Sequence, residues 1–255
     1  MHSCLLVGGA PTDHKGLDKI LKTCQFDAIY AVDGGYEPLR ARGIVPDGVF
    51  GDFDSLGYVP LKGDGRSAEN PACDVGSGAV LDAAATDEAA MQVEIFNAHK
   101  DFTDMDWAIN HAIEIGFTNI VICEGLSERL DHSLGNLQLM AAAASNGQRV
   151  WGVTEEEVVV TLDSAGGLME VSVDPDATGT CSVISHSDNA DGIFEEGLEY
   201  TLENAHVTNR TLWGISNELI GKPARISLRQ GSLWVFLPLA ELEKISYARI
   251  KLATK

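Results

Sequence analysis

The chain has 255 residues, of which 45% are hydrophobic, so it can bury a real core in one large domain or two modest ones. Its 18 basic residues against 38 acidic ones leave a net charge of −20, which argues against partners such as nucleic acid or an anionic membrane surface, because both require a basic footprint. The five cysteines are odd in number, widely spaced and free of any CxxC pair, which argues against both a disulfide framework and a zinc site.

Cys4-Leu5-Leu6-Val7 is an apolar run closed by Gly8-Gly9, the pattern of a buried strand entering a tight turn. It begins too early to leave room for a signal pattern, and no apolar stretch approaches the roughly 20 residues of a membrane span. A cytoplasmic protein is expected. Cys4 and Cys123 sit inside apolar runs and read as buried thiols.

A helix is expected over 17–23 and a second strand over 28–32, closed by Asp33-Gly34-Gly35. A short helix over 36–42 ends at Gly43, a favourable residue just past a helix end. Val49-Phe50 then leads into Gly51-Asp52-Phe53-Asp54-Ser55. From 56 to 92 the rhythm is lost, which reads as an elaborated connection with a short helix within 83–90. A strand follows over 93–96. Thr103 with Asp106 three residues on forms a capping-box variant that starts a helix. Trp107, Ile109, Ala112 and Ile113 supply its buried side, and Gly116 ends it.

The next strand is 119–123, and a helix after Asp131 runs to Asn146-Gly147 before a further strand over 149–153. Alternating strands and helices imply right-handed crossovers and a mostly parallel, Rossmann-like α/β domain over 1–153. Beyond it the pattern changes to short runs rich in β-formers at 158–162, 168–173, 181–186, 197–202, 225–228 and 233–237, separated by turn signals. Residues 154–255 read as an all-β sandwich.

The acids are the chemical signal. Asp33, Asp52, Asp54, Asp101, Asp104 and Asp131 all fall at or just beyond strand ends of the first domain, where open parallel sheets bind ligands. So many carboxylates repel one another unless a cation joins them, and Mg²⁺ favours one or two carboxylates plus water and phosphate oxygens. A Mg²⁺–nucleotide site follows, with Gly8, Gly9, Gly34, Gly35 and Gly51 letting backbone approach phosphates. Taken singly, each residue has a plainer reading. Asp33 suits a turn, Asp52 and Asp54 suit a cap, and Asp104 suits a helix N-terminus. Lys100 and Arg129 suit the surface, and His132 a helix start. An aspartyl-nucleophile phosphatase would carry its Asp-x-Asp pair on the first strand, and here the pair comes later and precedes Ser-Leu.

Asp33-Gly34-Gly35, Gly51-Asp52-Phe53-Asp54-Ser55, Lys100-Asp101-Phe102-Thr103-Asp104 and Arg129-Leu130-Asp131-His132-Ser133-Leu134-Gly135-Asn136 resemble, in order, signatures of the thiamine pyrophosphokinase family. Gly214-Ile215-Ser216-Asn217-Glu218 resembles its Ser-Asn segment, so the resemblance spans nearly the whole chain. It implies an α/β nucleotide domain, a β-sandwich, a homodimer, and transfer of pyrophosphate from ATP to the thiamine hydroxyl with Mg²⁺, giving thiamine diphosphate and AMP.

By that resemblance Asp52, Asp54, Asp101, Asp104 and Asp131 are candidates for catalysis, and the first four of them for metal. Asp33, Gly34, Gly35, Lys100, Arg129, His132 and Asn136 are candidates for the nucleotide side. Ser216 and Asn217 belong to the thiamine pocket, which in the family lies near the subunit interface, and Trp213 is a candidate stacking partner for the cationic thiazolium. Asp54 and Asp101 both remain open as acceptor of the hydroxyl proton.

Two departures from the family are visible: Ser127-Glu128 replaces a glycine pair, and the 56–92 connection is long. A pyrophosphokinase acting on another alcohol, such as a hydroxymethylpterin, is the nearest alternative, and Ser216-Asn217 favours thiamine. A ligand-binding regulator without catalysis is the alternative from another class, and retention of all the acids argues against it.

Overall fold

The computed structural model describes residues 2–54, 56–60, 79–81, 91–96, 100–127 and 129–248. The helix expected within 83–90 lies outside the described residues, as do Ser55, Glu128 and most of the 56–92 connection. The chain divides into two compact units, Met1–Asn136 and Leu137–Lys255.

Six strands of the first unit form a sheet: β1 (Ser3–Val7), β2 (Ala28–Val32), β3 (Gly48–Gly51), β4 (Ala79–Leu81), β5 (Gln92–Ile95) and β6 (Asn119–Cys123). Their order is β6-β1-β2-β3-β5-β4. All neighbours are parallel except β4, which runs antiparallel to β5. Cys4 through Val7 of β1 are all fully buried, as a near-continuous apolar run requires when helices cover both faces of a parallel sheet. The helices are α1 (Lys15–Thr23), α2 (Tyr36–Ala41), α3 (Asp104–Glu114) and α4 (Leu130–Ser145).

Thr103 caps α3 as expected, its Oγ1 accepting the Asp106 N–H at 3.1 Å, and Gly116 follows the helix in the left-handed conformation (φ 99°). The buried side of α3 differs from the expected set. Met105, Ala108, Ile109 and Ala112 are buried, whereas Trp107 and Ile113 are only half-buried. Small and flexible side chains under the helix let it approach closely, and the Trp107 ring is left at the flank. There it stacks on His111 (centroids 4.6 Å apart) and meets the edge of Phe50 at 4.7 Å. Phe50 also stacks on Tyr30 at 5.3 Å, so the last apolar residue of β3 is locked between helix and sheet.

The loops leaving the carboxyl ends of the strands crowd together because neighbouring strands lie only about 4.8 Å apart. Gly35 shows how close they come: a Cβ there would lie 1.8 Å from the carbonyl oxygen of Val7.

In the second unit every described pairing is antiparallel. One series runs β13 (Gly214–Ile220), β10 (Thr178–Ser185), β15 (Ser232–Pro238), β8 (Glu157–Asp163), β7 (Arg149–Val153). The other runs β12 (Leu202–Val207), β11 (Ala190–Glu196), β14 (Ala224–Ser227), β9 (Glu170–Val173), β16 (Ile245–Ala248). Strand β7, expected among the parallel strands, pairs antiparallel with β8.

The strand expected over 197–202 is a correction. Residues 197–201 are the connection between β11 and β12, held to β13 by an isolated bridge from Leu198 to Leu219 and by the Asn217 side chain at Tyr200, and Leu202 begins β12. Strands β11, β12 and β13 carry acidic and polar residues at many positions, so their apolar alternation is weak and did not mark them.

The Gly35→Ala variant should lose about 3 kcal/mol or more of unfolding free energy in urea, because the methyl group has only backbone to displace. A shift under 0.5 kcal/mol would contradict the crowding.

Candidate active site

Asp33 leaves β2 with φ 49° and opens a 3-10 turn, Asp33–Gly35. Gly51 ends β3, and a Cβ at Gly51 would sit 3.0 Å from the Asp33 Cα, so the bare glycine lets the two turns meet. Phe53 is fully buried with φ 56°, which anchors the chain between Asp52 and Asp54. The Asp54 N–H donates to Asp52 Oδ1 at 3.3 Å. As a result Asp33, Asp52 and Asp54 each present a carboxylate oxygen within 4.8 Å of the others. Three hard oxygen donors at that spacing fit a small divalent cation that keeps water and phosphate oxygens in its remaining positions.

Lys100 supplies the local positive charge. Its nearly buried ammonium lies 2.5 Å from Asp104 Oδ1 and 3.7 Å from Asp52 Oδ2, and 4.9 Å and 5.8 Å from the ring centroids of Phe96 and Phe102. Burial pushes the Asp104 carboxyl up to about 6; Lys100 opposes the rise, and Asp52 and Asp33 add to it. Asp33, Asp52, Asp54, Lys100 and Asp104 are thus brought together.

The remaining expected residues are placed differently. Asp101 is exposed in the turn before α3. Arg129 and Asp131 pair with each other at 2.8 Å, both exposed at the start of α4, and the Arg129 guanidinium holds the Asp131 carboxyl below its ordinary value. His132 is exposed beside them. Asn136 is buried and donates to the Gly125 carbonyl at 2.6 Å, so it pins the loop between β6 and α4. Ser133 pins the same loop by bonding both the N–H and the carbonyl of Ser127.

A second feature was not legible in the sequence. A cavity of about 350 Å³ is lined by Gly9, His14, Gly34, Pro38, Arg42 and Glu124, among others. The chain passes from β1 outward to β2 and β3 and later returns on the other side of β1 as β6, so the strand order reverses between β1 and β6. Gly9 and His14 follow β1 and Glu124 follows β6, which sets the cavity at that reversal. In the first unit the described non-glycine residues with left-handed backbone are His14, Asp33, Phe53 and Glu124, each in a connection that follows a strand end. The sequence carries no pattern for such backbone, since none of the four is a glycine.

In the second unit, Ser216 has φ 58° and forms a bulge in β13, where Ile215 and Ser216 together oppose Ser182 of β10. Leu212, Trp213 and Ile215 near the bulge are exposed, as is Tyr200, whose N–H donates to Asn217 Oδ1 at 3.0 Å.

Residues 17–151 match the catalytic domain of thiamin pyrophosphokinase, and residues 169–233 match its vitamin B1 binding domain. The chain belongs to the thiamin pyrophosphokinase family. The thiamine pyrophosphokinase of Bacillus subtilis is 28% identical over 203 residues, which cover 79% of this chain and 83% of that one. Among solved structures, a thiamine pyrophosphokinase from Bacillus subtilis superposes with a TM-score of 0.70 at 23% identity, covering 92% of this chain and 98% of that one. Thiamin pyrophosphokinase from Candida albicans gives 0.64 at 14% identity, covering 93% and 88%.

Within this thiamin pyrophosphokinase family fold, glycines at the strand ends also let neighbouring backbone segments close on one another. Gly9 approaches Gly34 and Gly35 approaches Val7, as strand ends this near each other demand. Asn217 is turned inward. It is buried, its Nδ2 donates to Glu195 Oε2 at 2.8 Å and to the Tyr200 carbonyl at 2.6 Å, and its Oδ1 accepts from Tyr200 and Glu218. Glu195 was not singled out in the sequence. Burial pushes its carboxyl up to about 7 against the opposing bond from Asn217, and its Oε1 has no hydrogen-bond partner among the described residues.

The unfolded chain gives up the Glu195 proton near pH 4.5 and the folded chain near pH 7, so stability falls as pH rises across that window. Glu195→Gln should remove this component, about 3 kcal/mol. Thermal unfolding from pH 4.5 to 8 should show a flatter profile for the variant, and an unchanged slope would contradict the assignment.

Proposed function

We propose that this chain transfers pyrophosphate from ATP to the hydroxyl of thiamine, giving thiamine diphosphate and AMP, with the Asp33–Asp52–Asp54 group holding Mg²⁺. The convergence of those three carboxylates at the strand ends, in a chain of this family, carries the reading. Asp33 takes the place that the sequence reading gave to Asp101 in the metal group, while Asp104 serves through Lys100.

The reaction forms a bond from the thiamine oxygen to the β-phosphorus and breaks the bridge to the α-phosphate, so AMP departs. Little covalent work is asked of the protein; it must align the groups and offset charge. Mg²⁺, when bound, neutralises phosphate charge that a −20 protein otherwise repels. Asp104 fixes the Lys100 ammonium beside Asp52, where it faces the same phosphates. Arg129 just before α4 and His132 on its first turn, both exposed, offer donors to the outer phosphate oxygens. The carboxylates of the cluster offer the acceptor for the hydroxyl proton.

In this reading residues 1–153 are a Rossmann-like nucleotide domain. Residues 154–255 are a β-sandwich that carries Ser216 and Trp213 for thiamine, with Asn217 serving the pocket by holding Tyr200 in place. The exposed Tyr200, Leu212, Trp213 and Ile215 supply apolar surface for thiamine and for a second copy in a homodimer. The reading places the enzyme in the cytoplasm; among the described residues no helix is long and apolar enough to cross a membrane.

Purified protein given ATP, Mg²⁺ and thiamine should release AMP and thiamine diphosphate in equal amounts, and release of ADP or thiamine-independent turnover would overturn the reading. Asp52→Asn and Asp54→Asn should each lower kcat/KM by about 100-fold or more. The melting temperature of Asp54→Asn should stay level or rise, since like-charge repulsion is relieved. Chelation of divalent ions should abolish turnover and added Mg²⁺ should restore it.

A further inference from the structure

The cavity between the β1 and β6 loops is built around a histidine and a carboxylate that the mechanism above does not use. His14 Nδ1 lies 2.6 Å from Glu124 Oε1, and the Glu124 side chain is almost fully buried while the imidazole is about one-third exposed. Thr12 completes the arrangement, its Oγ1 lying 3.2 Å from His14 Nδ1 and accepting the His14 N–H at 3.1 Å. Both His14 and Glu124 hold left-handed backbone (φ 62° and 56°), a conformation that costs on the order of 1 kcal/mol or more for residues other than glycine. Glu124 Oε2 is buried with no hydrogen-bond partner among the described residues. A surface ion pair would need neither the strain nor the burial.

A buried carboxylate that accepts from Nδ1 sets the imidazole tautomer and leaves Nε2 as the one polar ring atom for the cavity. Unprotonated, that nitrogen accepts a hydrogen bond; protonated, it donates one. A hydroxyl satisfies both states because it can donate and accept. The cavity volume of about 350 Å³ lies in the range of small-ligand sites, and Gly34 lines it while the adjacent Asp33 belongs to the carboxylate group. A nucleotide with its phosphates at Asp33, Asp52 and Asp54 therefore has this cavity within one residue of its path.

We propose that the nucleoside end of ATP occupies this cavity, with His14 Nε2 bonding a ribose hydroxyl and Glu124 acting as the positioning residue that holds the imidazole. This rests on the diphosphokinase reading for its ligand, and the test separates the two. Binding of Mg²⁺–ATP, 2′-deoxyATP, 3′-deoxyATP and ITP to the full chain is measured by calorimetry, beside turnover with thiamine.

The wild type should bind one of the two deoxynucleotides about tenfold more weakly than ATP. His14→Asn, chosen because asparagine tolerates left-handed backbone, should weaken ATP by a similar factor. It should then show no further loss with that deoxynucleotide, and KM for thiamine should be unmoved. Glu124→Gln should raise KM for ATP without changing kcat. Equal binding of ATP and both deoxynucleotides by the wild type would overturn the proposal, as would undiminished ribose discrimination in His14→Asn. A loss confined to ITP would also overturn it, by placing the base amine at the histidine. If ATP binds with the expected ribose preference but no thiamine-dependent AMP appears, the cavity assignment stands and the diphosphokinase reading fails.

Discussion

The backbone of Gly51 lies against the Cα of Asp33, and the chemistry of the first unit depends on that contact. Parallel strands set their ends side by side, but side chains at those ends would normally hold the turns apart. A glycine at the end of β3 removes the obstacle, and the carboxylates of Asp33, Asp52 and Asp54 then converge within 4.8 Å. The buried Phe53 and the Phe50–Trp107–His111 aromatic stack keep the β3 end from relaxing away from this arrangement. Packing energy from the core thus offsets the repulsion among the acids.

Electrostatics divides the acids into two groups. Asp52 and Asp104 share the Lys100 ammonium, whose low exposure strengthens the attraction relative to water. Asp131 has its ion-pair partner in the exposed Arg129, where solvent screening leaves little net energy. The first group is a preformed charge pattern, whereas the second is a surface pair that a phosphate could compete for. The same logic applies to the second unit. There Asn217 serves as a bracket that fixes Tyr200 and the bulge at Ser216, with Glu195 buried beneath it.

The strands of the α/β region were readable because a sheet buried on both faces leaves uninterrupted apolar runs. Ala28–Val32, Asn119–Cys123 and Arg149–Val153 have the expected limits, and Thr103 caps α3 as its spacing with Asp106 implied. Strands β11 to β13 were missed because polar residues at many positions and bulges interrupt the alternation that marks a strand. Trp107 was misplaced for a related reason: helical periodicity gives a face, but the gap beneath the helix decides which side chains fit there.

The order of acids along the chain, their positions after apolar runs and the Ser216-Asn217 segment were sequence properties, and they pointed to the family because motif order survives without coordinates. Which acids meet was decided only in three dimensions. Asp33 joins Asp52 and Asp54 through a glycine contact between turns 18 residues apart, and Asp131 turns to Arg129. The pairing of His14 with Glu124 spans 110 positions and rests on the reversal of strand order between β1 and β6. Local pattern cannot encode such a meeting, because it is the packing of strands β1 and β6 side by side that creates it.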